Sequence, residues 1–155
     1  MKKNKVGLFF GTFNPVHVGH IILANHMLEY SDLDEVWMVV TPMSPHKTKD
    51  DILDNFDRYN MLQMAIEGYD RLRVSDIEFH LPTPNYTVNT LAHLEERFPN
   101  NAYHIIMGED NLKSLHRWKN FEVLIANYPI LVYPRISEGE VDEHIKKGII
   151  RKPKP

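Results

Sequence analysis

The sequence predicts an α/β fold, an open parallel sheet with helices on both of its faces. Three observations carry that expectation. Apolar runs ending at Phe10 and spanning Val36–Thr41, Ala102–Gly108 and Ile130–Tyr133 are nearly continuous rather than alternating, as strands covered on both sides are. Stretches with helical spacing separate them, so strand, helix and strand follow one another as βαβ units with right-handed crossovers. Polar loops and turn residues follow the carboxyl ends of these runs, where open α/β sheets bind ligands.

The first run, Gly7-Leu-Phe-Phe10, enters a turn that contains Gly11 and Pro15. Helical spacing begins near Val18, with Ile21, Ala24 and Leu28 on one face and Ile22 beside it. Strand, short turn and helix N-terminus are the arrangement that holds a phosphate, because free backbone N–H groups and the positive end of the helix dipole face the anion. His17 and His20 share one face if the helix has begun there, and Gly19 between them leaves room for a ligand to approach the backbone. The pair reads either as polar residues satisfied at a helix start or as donors to a phosphate, stronger ones when protonated. The absence of cysteine and of a carboxylate at ligand spacing between them argues against a metal site.

Beyond the loop Ser31–Asp34 and the second strand, Pro42-Met-Ser-Pro-His46-Lys47 leaves the sheet. His46 and Lys47 read either as a solvated loop or as cations that close over a triphosphate. Asp57–Tyr69 has helical spacing, with Met61, Leu62, Ala65, Ile66 and Tyr69 as its packed stripe. Arg58 falls in the first turn, where the dipole disfavours a cation, which marks it as placed for an interaction. Leu72–Ser75 and Ile77–His80 read as short extended pieces, interrupted by the prolines of Leu81-Pro-Thr-Pro84. Thr87 then caps a helix carrying Val88, Leu91, Ala92, Leu94 and Phe98 inward, and Tyr86 ahead of it is either a staple or a stacking platform. After the third central strand, Gly108 and an acidic residue can approach a ribose, or Asp110 can simply cap the next helix. Trp118 reads as partly buried packing. Phe121–Ala126 is a short helix, and from Ser137 the chain turns polar, with a weak helical pattern over Val141–Lys147.

Composition narrows the function classes. A chain of 155 residues, 43% apolar and 25% charged, suits one globular domain with a sizeable core. With no cysteine there are no disulfides, which fits a reducing, cytoplasmic setting. The basic start Met1-Lys-Lys-Asn-Lys5 is followed by too few apolar residues for a signal peptide or a membrane span. A net charge of -3 argues against nonspecific nucleic-acid binding and leaves room for a local anion pocket. No nucleic-acid or membrane partner is therefore expected.

Gly11-Thr12-Phe13-Asn14-Pro-Val-His17-Val-Gly-His20 resembles the signature of the nucleotidyltransferase superfamily that carries a His-x-Gly-His motif. That resemblance implies a Rossmann-like α/β sheet and a turn, Gly11, Thr12, Phe13, His17 and His20 included, that holds the phosphates of ATP. It also gives His46 and Lys47 of Ser44-Pro-His-Lys47 a place on those phosphates. Two further segments are similar to nicotinate mononucleotide adenylyltransferases. Pro84-Asn-Tyr-Thr-Val-Asn-Thr-Leu91 resembles their Pro-Ser-Tyr-Thr segment, with Asn85 in place of the usual serine. Gly108-Glu-Asp-Asn-Leu112 with Trp118 resembles their Gly-x-Asp-Ser/Asn-Leu…Trp pattern. The resemblance implies Gly108 and Asp110 at the adenosine ribose, and Asn14, Tyr86, Thr87 and Trp118 at the mononucleotide, with His17, His20 and Lys47 as the catalytic set.

The implied reaction joins ATP and nicotinate mononucleotide into deamido-NAD and pyrophosphate, with Mg²⁺ accompanying ATP and no protein metal site. A pantetheine-phosphate adenylyltransferase or a cytidylyltransferase shares the first motif, but the two later segments argue against both. The family continues to an Ile-Ser-Ser/Ala-Thr-x-x-Arg segment whose arginine takes ATP phosphates, and no such segment occurs in this sequence. The expectation is a single nucleotidyltransferase domain over residues 1–155 without the family's final strand–helix region. Such a chain could act as a nucleotide-binding fragment with little turnover, and an uncovered apolar flank would let it form a homo-oligomer.

Overall fold

A computed structural model describes residues 2–42 and 54–134 of the chain. Along it run β1 (Asn4–Gly11), α1 (Val18–Glu29), β2 (Glu35–Val40), α2 (Asn55–Ala65) and β3 (Leu72–Ser75). Then come α3 (Thr87–Arg97), β4 (Asn101–Gly108), α4 (Glu109–Ser114), α5 (Phe121–Asn127) and β5 (Ile130–Tyr133), with 3₁₀ turns at Ile77–His80 and Leu115–Arg117. The five strands form one sheet in the order β3-β2-β1-β4-β5, and every neighbouring pair is parallel. The strand order reverses between β1 and β4. Their carboxyl ends, Gly11 and Gly108, therefore flank the crevice where open sheets of this kind take ligands.

The continuous apolar strands are covered on both faces. Phe9 of β1, Val36, Met38 and Val40 of β2, Ile106 of β4 and Leu131 of β5 pack with Ile21, Ala24, Met27 and Leu28 of α1 and with Leu62 of α2. The alternate residues Val6, Leu8, Val39, Ile105, Met107, Ile130 and Val132 pack on the other side with Leu91 and Leu94 of α3 and Leu124 of α5. Burying these side chains stabilises the sheet by about 1.5–3 kcal/mol for each large one, set against the entropy of ordering the chain.

Several local expectations change. Ile77–His80 is a 3₁₀ turn and not an extended piece: the Phe79 N–H donates to the Asp76 carbonyl at 2.9 Å. The consecutive residues Ile77 and Glu78 are both buried, which the alternation of a strand does not provide. Helix α2 ends at Ala65, and its inward stripe is Arg58, Leu62 and Ile66, one residue per turn. Met61, Met64 and Tyr69 are exposed, so those methionines do not fill the core. Tyr86, with extended backbone, occupies the cap position of α3, and Thr87 is its first helical residue. The inward residues of α3 are Thr90, Leu91 and Leu94, while Ala92 and Phe98 face out.

Candidate functional site

The turn after β1 delivers its residues to the start of α1. Phe13 adopts φ +48°, and its ring is only 2% exposed, packed edge-on against Phe9. A non-glycine residue in that left-handed region costs on the order of 1 kcal/mol and is held here by the burial of the ring. The ring of Phe13 is thus core, and what it offers a ligand is its backbone. Gly11 closes β1 against that ring, since a Cβ there would lie 3.1 Å from it. Thr12 is exposed and Asn14 half-buried on the same turn.

His17 is the cap residue of α1, with extended backbone, and His20 is the third residue of the helix. The two imidazoles stack with centroids 3.7 Å apart, and the His17 N–H donates to His20 Nδ1 at 3.0 Å. Gly19 serves this stack. A Cβ at that position would stand 3.0 Å from the His17 ring, so the space is taken by imidazole and not left for a ligand. Burial, and secondarily the neighbouring His17, lower the His20 pKa from 6.5 to about 4. His20 is therefore neutral near pH 7 and donates without a positive charge. Because Nδ1 accepts, the ring proton sits on Nε2, which makes His20 a fixed neutral donor. Phe13 backs its ring at 5.0 Å.

One residue fixes the turn from behind. The guanidinium of Arg58, fully buried, donates to the Thr12 carbonyl at 2.6 Å and to the Thr41 carbonyl at 2.8 Å, and also bonds the Asn55 side chain. The Thr41 N–H in turn donates to the Gly11 carbonyl at 2.8 Å. Arg58 thereby ties the turn after β1 to the end of β2 and to α2. The helix dipole signalled an interaction for this residue; only the fold shows that its partners are carbonyls.

A cleft of about 400 Å³ opens beside that junction, lined by Phe10 and Thr41 at the strand ends and by Tyr86, Thr87 and Trp118. Residues more than thirty apart in sequence thus converge in a volume suited to a small organic ligand, while Asn14 is not among the residues that line it. Trp118 both packs against the core and lines the cleft. Three charged residues on the cleft were not anticipated: Glu78, Arg117 and Lys119. Glu78 is 3% exposed, and the Thr90 hydroxyl donates to its carboxylate at 2.7 Å. Burial pushes its pKa up, against the hydrogen bonds from Thr90 and Thr41. The Asn85 amide donates to the Glu78 carbonyl at 3.3 Å, tying the Tyr86 segment to the 3₁₀ turn.

On the far side of the switch point, Gly108 caps α4 and Asp110 is exposed in its first turn, where its charge suits the dipole. Asp110 is therefore not the cap residue. A Cβ at Gly108 would meet the Tyr133 ring at 3.1 Å, and burial together with Asp110 raises the Tyr133 pKa. His46 and Lys47 lie outside the described residues. Among the described residues no group of three or more His, Asp or Glu side chains could hold a metal, and no helix is long and apolar enough to cross a membrane.

Residues 8–153 match the model of the cytidylyltransferase-like family. A protein of Christiangramia forsetii named "probable nicotinate-nucleotide adenylyltransferase" is 63% identical over 142 residues, covering 92% of this chain and 73% of the relative. One of the same name from Flavobacterium psychrophilum is 56% identical over 153 residues, covering 96% and 79%. Among solved structures, the Plasmodium falciparum nicotinic acid mononucleotide adenylyltransferase complexed with NaAD superimposes with a TM-score of 0.73, at 20% identity over 94% of this chain and 71% of that one. That structure supports the Rossmann-like fold, and the sequence relatives supply the finer placement. The chain belongs to the cytidylyltransferase-like family and, within it, to the nicotinate-nucleotide adenylyltransferases.

Proposed function

We propose that this protein transfers the adenylyl group of ATP to nicotinate mononucleotide, forming deamido-NAD and releasing pyrophosphate. The observation that carries this reading is the convergence of Tyr86, Thr87 and Trp118 in one cleft whose wall, Thr41, is bonded to the turn that leads into His17 and His20. A site for an aromatic mononucleotide and a site for phosphates then share a boundary. The reaction breaks the bond between the α- and β-phosphates as a phosphate oxygen of the mononucleotide bonds to the α-phosphorus. That oxygen is already ionised near pH 7, so no general base is required.

The chain's own groups position and stabilise. The N-terminus of α1, the turn Gly11 to Phe13 and the Nε2–H of His20 face the phosphates of ATP, and His17 orients His20 through its backbone N–H. His46 and Lys47 are assigned to the outer phosphates. Gly108 and Asp110 receive the adenosine ribose across the switch point, Asn14 and Thr87 supply polar contacts to the mononucleotide, and Tyr86 and Trp118 face its ring. A divalent cation such as Mg²⁺ accompanying ATP would be held by phosphate and water and would supply charge neutralisation for the pyrophosphate. A cytoplasmic setting agrees with the absence of cysteine.

The test is pyrophosphate release with ATP, Mg²⁺ and each candidate acceptor. Nicotinate mononucleotide should give a higher kcat/KM than nicotinamide mononucleotide. Equal efficiency for the two, or use of phosphopantetheine with neither pyridine accepted, would overturn the assignment.

A further inference from the structure

We propose that the Lys119 side chain, with Arg117 beside it, selects the acid over the amide form of the pyridine mononucleotide; this inference rests on the cleft being the mononucleotide site. The ammonium of Lys119 stands over the face of Tyr86, 4.7 Å from the ring centroid, on the wall of the cleft. Contact with the ring's negative face holds a flexible side chain in place without neutralising it. Among the described residues neither Lys119 nor Arg117 makes an ion pair, so both keep their charge available. Among the described residues that line the cleft the one acid, Glu78, is buried with its carboxylate bonded to Thr90. The accessible charge of these described lining residues is positive.

That sign distinguishes the two mononucleotides. Nicotinate joined to ribose carries a pyridinium charge and a carboxylate, so its ring portion is net neutral with a strong acceptor. The nicotinamide counterpart keeps the pyridinium charge and has only a neutral amide. Stacking on Tyr86 or Trp118 is available to both rings, and a backbone N–H can serve the oxygen of either group. A full cation at the cleft wall attracts the carboxylate and repels the uncompensated pyridinium, so it acts on the difference between the ligands.

Calorimetric Kd values for the two mononucleotides, on the wild-type chain and on Lys119→Ala and Lys119→Arg, test the inference. The wild type should bind the acid form more tightly, and that ratio should fall about tenfold in Lys119→Ala, as expected for one partly desolvated charge contact. Lys119→Arg should retain the ratio, because it keeps both the charge and the ring contact. Raising the salt concentration should shrink the wild-type ratio in the unmodified protein, a readout independent of any variant's folding. A ratio unchanged in Lys119→Ala, or equal weakening of both ligands, would overturn the role of Lys119 while leaving the site intact. Binding of neither mononucleotide to the wild type would remove the site assignment itself, and this inference with it.

Discussion

Replacing Arg58 by alanine should loosen the fold and the phosphate turn together. The guanidinium is fully buried and reaches two carbonyls, those of Thr12 at 2.6 Å and Thr41 at 2.8 Å. Hydrogen bonds from a charged donor contribute about 1.5–3 kcal/mol each, so the two together account for roughly 3–6 kcal/mol. Alanine also relieves the cost of burying a cation, which burial registers by lowering the Arg58 pKa. Against that relief stand two carbonyls left without this donor and a cavity where the side chain was. The net loss should be about 3–5 kcal/mol, as for other buried charges whose hydrogen-bonded arrangement is broken. For a domain of this size that corresponds to a Tm lower by about 10 °C. Urea denaturation supplies the stability, and calorimetry with ATP at a temperature where the variant is folded supplies the affinity. Arg58→Lys should fall between, because an ammonium keeps the charge but not the planar fork. A loss below about 1 kcal/mol for Arg58→Ala, with ATP affinity unchanged, would refute the reasoning.

Two further outcomes follow from the imidazole pair. His20→Ala should lower kcat by roughly a hundredfold, about 3 kcal/mol of transition-state stabilisation, while shifting Tm little; normal turnover with a much lower Tm would mean that the histidine is structural. The folded pKa of His20 lies at about 4, below its ordinary 6.5, and burial lowers that of His26 as well. These bases bind fewer protons folded than unfolded, so their contribution is full above about 6.5 and falls as the pH drops below it, for His20 toward about 4. Glu78, whose pKa burial raises, acts in the opposite sense as the pH rises above the ordinary carboxyl value of 4.5. Proton NMR of the free protein isolates the histidine: His20 should show no titration between pH 8 and about 5.5, and a midpoint near 6.5 would contradict its assignment as a neutral donor.

How far the sequence alone reached differs between elements. Strand identity was legible because a strand buried on both faces must be apolar at consecutive positions, and β1, β2, β4 and β5 all are. The start of α1 near Val18 and the turn before it were legible because the strand-to-helix transition, with Gly11 and Pro15 in the turn, fixes them locally. The motifs around Tyr86, Thr87 and Trp118 were also readable one by one. Periodicity failed where a partner from elsewhere in the chain decides the outcome. Met61 fits an apolar stripe yet faces out, because Arg58 and not a hydrophobe begins the stripe that meets the sheet.

Only the tertiary structure decided which groups face one another. The protonation state of His20 depends on burial beside Phe9 and Phe13 and on a ring stacked 3.7 Å away, and spacing along the chain specifies neither. Nothing in the local sequence marks Glu78, Arg117 and Lys119, since an acid within Ile77–Phe79 and cations flanking Trp118 carry no local signal. The parallel crossovers bring the 3₁₀ turn after β3, the start of α3 and the loop before α5 to one cleft. A cation's role there follows from the low-dielectric walls and the neighbours that the fold assembles around it. Local sequence encodes backbone preference and apolar pattern, while charge becomes function only through distances between segments far apart in the chain.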